Sequence, residues 1–185
     1  SNALVRVTDK VEFVKVNKLI ANTSQLVTVD NISDKKALLA VINITPDANI
    51  ESAEITVTDD VNKSDVDTIN AYNTTGNVTI TSITDSFSNI SAVQSTAGIS
   101  IDTALITATD AVTSDNANSL NNFTSAQVTL QKVEDTVSNI TSIDGLATSE
   151  VSMAAATVTV TDAATLANAN AINNFTTAQV TLQKV

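Results

Sequence analysis

Aspartate offers the most chemistry in this chain of 185 residues. Asp9, Asp59, Asp110 and Asp162 each close a phrase that alternates aliphatic and hydroxyl side chains: Val5-Arg-Val-Thr-Asp9, Ile55-Thr-Val-Thr-Asp59, Ile106-Thr-Ala-Thr-Asp110 and Val158-Thr-Val-Thr-Asp162. One carboxylate at one fixed place suits two tasks. It can accept hydrogen bonds from the free amides of a helix that follows it, or it can join its counterparts around calcium if stacking brings their oxygens together. Capping explains the fixed position without any ligand, so Asp9, Asp59, Asp110 and Asp162 are expected to be structural caps. The densest acidic group is Asp59, Asp60, Asp65 and Asp67. These are the candidate metal ligands, but nothing in their spacing makes the oxygens converge, and a solvated helix start is expected instead. A glycosidase pair is a poorer reading, because no aromatic platform lies near and the other phrases do not reproduce the cluster. No cofactor is expected, with calcium the one ion left open.

Threonine is the second candidate. Alternation points successive side chains to opposite faces of a strand, so the aliphatic residues face a core and the threonines face out. Thr56, Thr58, Thr79, Thr81, Thr107, Thr109, Thr129, Thr159, Thr161 and Thr181 would then form rows about 4.8 Å apart, the kind of regular hydroxyl surface found on ice-binding proteins. Threonine is also simply a polar residue that suits an exposed strand, and Arg6, Gln131 and Gln183 interrupt the rows.

Other chemistries are closed. The chain has no histidine and no cysteine, which removes imidazole bases, thiolate nucleophiles, disulfides and ordinary zinc sites. With three glycines there is no phosphate-cradling loop. The net charge of −11 disfavours nucleic acid and anionic membrane surfaces, and no apolar run reaches the roughly 18 residues of a membrane span. Sequons such as Asn122-Phe-Thr124 and Asn174-Phe-Thr176 follow from abundant Asn and Thr. An enzyme is not expected.

The elements that must position these residues recur. The four phrases start 50, 51 and 52 residues apart, and a related phrase lies between them: Val27-Thr-Val, Val78-Thr-Ile, Val128-Thr-Leu and Val180-Thr-Leu. Strands are therefore expected near 5, 27, 55, 78, 106, 128, 158 and 180. After each phrase-ending aspartate, apolar residues follow at steps of three: Val16 and Leu19, Val66 and Ile69, Ala117 and Leu120, Ala169 and Ile172. Tyr72, Phe123 and Phe175 come one step further. That stripe predicts a helix of about three turns. The longer connections carry Phe87, Ile90, Val93 and Val137, Ile140, Ile143, which predict helices of two to three turns. A loop or short extended edge should follow, with Pro46, Gly98 and Gly145 inside these connections.

Strand, helix and strand without reversal give a parallel sheet with crossover helices, and a period near 50 residues implies a stacked array. The expected fold is α/β: a right-handed strand–helix solenoid with a parallel sheet of about eight strands and helices on one face, with a parallel β-helix as the alternative. Residues 4–185 form one array, with copies over 5–54, 55–105, 106–157 and a partial copy over 158–185. Ser1-Asn2-Ala3 reads as a tag scar. Asn121–Val133 returns almost unchanged as Asn173–Val185, so the piece is expected to come from a longer array.

Ile-Thr-Val-Thr-Asp followed by an Asn/Ala-rich helix and Val-Thr-Leu resembles the strand–helix repeats of very long secreted, adhesin-like bacterial surface proteins. The unit is similar in architecture to a leucine-rich-repeat solenoid, and Asn139-Ile-Thr-Ser-Ile-Asp-Gly-Leu146 reads as a diverged version of that motif. No Gly-Gly-x-Gly-x-Asp run is present, so calcium-dependent folding is not carried over. The resemblance implies an extracellular or cell-surface structural and adhesive module, with neighbouring repeats as its partners and an extracellular ligand of unknown identity. The reading from a different class is a specific binding domain that uses the threonine face for a glycan, a surface or ice.

Overall fold

The computed structural model describes residues 5–43, 47–143 and 150–184. The expectations placed on residues 1–3, Pro46, Gly145 and Leu146 lie outside the described residues. The described chain is mixed α/β, with seven helices and parallel strand pairing. In order come β1 (Val5–Val7), α1 (Phe13–Ile20), β2 (Val27–Val29), β3 (Asn31–Asp34), α2 (Lys36–Asn43), β4 (Ala48–Asn49), β5 (Glu54–Val61), α3 (Lys63–Tyr72), β6 (Val78–Asp85) and α4 (Phe87–Gln94). Then follow β7 (Ile99–Ser100), β8 (Leu105–Val112), α5 (Ser114–Phe123), β9 (Val128–Asp135), α6 (Val137–Thr141), β10 (Val151–Ser152), β11 (Thr157–Ala163), α7 (Leu166–Asn173) and β12 (Val180–Lys184). The expected strand starts fall within one residue of those found, because β-branched alternation acts locally. Among the described residues no helix is long and apolar enough to cross a membrane.

The chain divides into two compact units: residues up to Ser82 with Val93–Ile101, and Ile83–Ala92 with Asp102 onward. In the first unit β2 pairs in parallel with β1 and β4, and β3 pairs with β5. The two-residue β7 pairs with the start of β6, setting Val78 opposite Ile99. In the second unit β8 pairs with β9, β9 with β11, and β11 with β12. The equally short β10 lies beside the start of β9, with Val128 opposite Val151. The long connections thus end in a short extended edge, held by the same bond each time: the Val27, Val78 and Val128 amides donate to the Asp47, Gly98 and Glu150 carbonyls at 2.8, 2.7 and 2.7 Å.

Alternation decides what is buried. Val27, Val29 and Ile32 are fully buried, as are Ile55 and Val57, Val78 and Ile80, Ile106 and Ala108, Val128 and Leu130, and Val158 and Val160. The helices close this core with their expected stripe: Val16 from α1, Val66 and Ile69 from α3, Ala117 and Leu120 from α5, and Ile172 from α7. Leu19 and Ala169, on the same stripe, are half-buried.

One irregularity recurs. Ala108 lies opposite Leu130 and Ala111 opposite Lys132, so Thr109 and Asp110 of β8 face only Gln131 of β9. In the same way Thr161 and Asp162 of β11 face only Gln183 of β12. Two residues against one is a β-bulge, which re-aims side chains. It carries β8 past its aspartate to Val112, which is buried.

Candidate functional site

The sequence placed a cap at Asp9, Asp59, Asp110 and Asp162, and the geometry corrects that placement. The N-caps of α3, α5 and α7 are Asn62, Thr113 and Thr165, each three residues further on. The Asn62 side chain accepts from the Asp65 amide at 3.0 Å, and the Asp65 carboxylate accepts from the Asn62 amide at 3.1 Å, forming a capping box. Thr113 and Thr165 accept from the Asn116 and Asn168 amides. The cap of α1 is Glu12, without a side-chain bond, and Asp9 is exposed. The strand continues beyond its aspartate, and this shifts the helix start. Asn62-x-x-Asp65 and Thr113-x-x-Asn116 were the sequence signals for it.

The aspartates instead cap the helix before their own strand. The first amide of α1, from Phe13, donates to Asp34 at 2.8 Å, and that of α2, from Lys36, donates to Asp59 at 2.8 Å. Phe87 at the start of α4 donates to Asp110 at 2.8 Å, Ser114 of α5 to Asp135 at 2.9 Å, and Val137 of α6 to Asp162 at 2.9 Å. Each bond spans 21 to 25 residues. A negative charge also suits the positive end of a helix. Asp135 adds bonds from the Thr136 amide and the Asn139 side chain, both at 2.8 Å.

A second staple lies at the helix exit. Thr124 and Thr176 donate their hydroxyls to the Ala104 and Ala156 carbonyls at 2.7 and 2.6 Å. In the first unit Asn73, buried, donates to the corresponding Ala53 carbonyl at 2.7 Å and to the Ile50 carbonyl at 3.0 Å. Gly76 packs on that same Ala53 carbonyl.

Asp135 titrates below its ordinary value. Burial alone pushes it up, but bonds from the Ser114 amide, the Asn139 side chain and the Thr136 amide outweigh burial and hold it down. A carboxyl lowered on folding contributes stability that is complete above its unfolded value of 3.8 and drains away as pH falls through the lowered folded value. Asp135→Ala is therefore expected to cost about 1–3 kcal/mol at pH 7, since two amides lose their acceptor. That deficit should shrink as pH falls below the ordinary carboxylate range. Urea unfolding of both proteins at pH 7 and pH 2.5 checks it, and a deficit independent of pH would remove the carboxylate from the explanation.

The candidate metal ligands do not gather. The Lys36 ammonium, from α2, donates to Asp65 at 2.6 Å, and this bond is the main cause raising its pKa, with Asp59 and Asp60 adding attraction. Lys63 pairs with Asp67 at 2.5 Å, and Asp60 accepts from Ser82 at 2.7 Å. Asp59 is taken by the Lys36 amide. Among the described residues no group of three or more acidic side chains could hold a metal. The cluster read as a helix start is thus an ion-paired corner, completed by a lysine 29 residues before Asp65.

The threonines divide into two kinds. Those one place after the phrase start stand in register: Thr107 faces Thr129, which faces Ser152 on its other side. Thr159 lies between Thr181 and Glu134, Thr79 beside Ser100, and Thr56 beside Ser33. These ranks are half-buried apart from Thr181 and Glu134, which are exposed. Thr109 and Thr161 fall in the bulges, outside any regular rank. Thr81 turns its hydroxyl to the Val57 carbonyl at 2.8 Å, and Thr58 is exposed on β5. The regular rows read from the sequence are therefore reduced to short ranks within each unit, the longest hydroxyl rank being Thr107–Thr129–Ser152.

Fold and site together define a mixed α/β protein of parallel strands, with helices capped from a later strand and hydroxyls standing in register. No family model, curated protein or solved structure matches the chain.

Proposed function

We propose that the chain is a non-enzymatic structural and adhesive module, a strand–helix solenoid segment of a larger bacterial cell-surface or secreted protein. The observation that supports this reading is the aspartate cap from a later strand, which ties five of the helices to the chain 21 to 25 residues on at 2.8–2.9 Å. A fold held by nearest-neighbour ties suits extension and display. A compact globule of this length has a radius of gyration of about 16 Å. Small-angle scattering of the monomer is expected to give a clearly larger value, and a value near 16 Å would sink the extended module.

A second reading is favoured by the hydroxyl rank Thr107–Thr129–Ser152: a binding face for a glycan, a surface or ice. Changing Thr107, Thr129 and Thr159 to lysine is expected to leave circular dichroism unchanged. A specific binder would lose glycan retention or ice shaping in that variant, whereas a module that only extends and displays has neither activity to lose.

A further inference from the structure

Two grooves lie at corresponding places in the two units. In the first unit a groove of about 460 Å³ runs beside β4 and is lined by Leu26, Asn49, Glu51, Tyr72 and Thr74. In the second a groove of about 310 Å³ runs beside β10 and is lined by Gln127, Ser152, Met153 and Phe175. The correspondence follows from register: Asn49 stands beside Thr28 as Ser152 stands beside Thr129. Tyr72 and Phe175 share one position, thirteen residues after Asp59 and Asp162. The whole chain has four phenylalanines and one tyrosine, so two aromatics on matching groove walls is a concentrated investment.

The chemistry of the first groove is specific. The Tyr72 hydroxyl is sealed from solvent and has no hydrogen-bond partner, whereas the matching residue in the second groove is phenylalanine. Glu51 stands on the rim, accepting from the Thr74 hydroxyl at 2.9 Å, and its amide donates to Asn49 at 2.9 Å. No lysine or arginine lines either groove, and the chain carries a net charge of −11, so an anion is disfavoured. An aromatic wall set against amide, hydroxyl and carboxylate groups suits a ligand with apolar C–H faces and many neutral hydroxyls.

We propose that these grooves bind a neutral saccharide chain, with the Tyr72 groove as the stronger site. The ring of Tyr72 packs on a sugar face. Asn49, Glu51 and Thr74 hold the sugar's hydroxyls. The inference goes beyond the display module and does not depend on it, since a spacer without these sites would still extend.

Tyr72 is the only tyrosine and tryptophan is absent, so tyrosine emission reports the surroundings of this one residue. Titration with chitotriose, maltotriose and cellotriose is expected to give a saturable emission change with at least one of them. Asn49→Ala with Glu51→Ala, both on the rim, should weaken that binding at least tenfold with circular dichroism unchanged. Tyr72→Phe, followed by amide shifts, should bind as tightly as the parent, because the sealed hydroxyl does not meet the ligand, while melting about 2–4 °C higher when free. The absence of saturable change with all three sugars would overturn the proposal. So would undiminished binding in the double variant, or shifts centred on Thr107 and Thr129 instead of Asn49 and Tyr72.

Discussion

Gly76→Ala is expected to destabilise the protein by about 3 kcal/mol, the upper end of the usual cost of forcing atoms into a packed place. A β-carbon on residue 76 would overlap the Ala53 carbonyl oxygen and sit 2.7 Å from its carbon and 2.8 Å from the Ser52 carbonyl carbon. All three are backbone atoms, so no side chain can rotate away. The strain would fall where Asn73 donates to the Ala53 and Ile50 carbonyls, so one methyl group loosens the helix exit as well. Gly98→Ala is the control. Gly98 has φ +79°, and its added carbon would meet only the Gly76 carbonyl oxygen at 3.4 Å. Its cost is the left-handed conformation alone, about 1–2 kcal/mol. Urea unfolding of the two variants separates crowding from conformation, and equal losses would show that the approach to Ala53 is looser than described.

Leu130→Ala is expected to cost about 2–5 kcal/mol, since it deletes a buried side chain that the surroundings only partly refill. Leu130 is 1% exposed. Its neighbour in the chain, Thr129, is half-buried on the other face. Thr129→Ala is expected to change stability by no more than about 0.5 kcal/mol, as surface substitutions usually do. Thermal unfolding of the pair tests the pleat directly. Similar losses from both would mean that the threonine face is packed and not open.

Much of the fold was legible because its determinants are local. Ile55-Thr-Val and Val128-Thr-Leu alternate over a few residues, and the helix stripe Val66–Ile69 needs only the helical period. What escaped depends on partners distant in sequence. A bulge at Thr109–Asp110 exists only because β9 is one residue shorter across that stretch. Ala48-Asn49 has weak strand propensity, and β4 forms because β2 offers a free edge. Asp9, Asp59, Asp110 and Asp162 were read as caps, and Asp59, Asp110 and Asp162 do cap a helix. Their helix, however, was found on the wrong side of the strand, since no local rule shows Asp110 reaching Phe87. Lys36 among the carboxylates was invisible for the same reason. The groove aromatics were seen at a fixed position, but their orphaned phenol appears only in three dimensions.

The aspartate ties point backwards along the chain, and this bears on synthesis. The opening amide of α5 waits for Asp135, 21 residues downstream, and that of α6 waits for Asp162, 25 residues downstream. During translation the opening amides of these helices therefore wait for their acceptors until the later strand arrives. For these helices, folding trails the growing end by one segment, and the aspartate must be made before the amide it caps is satisfied.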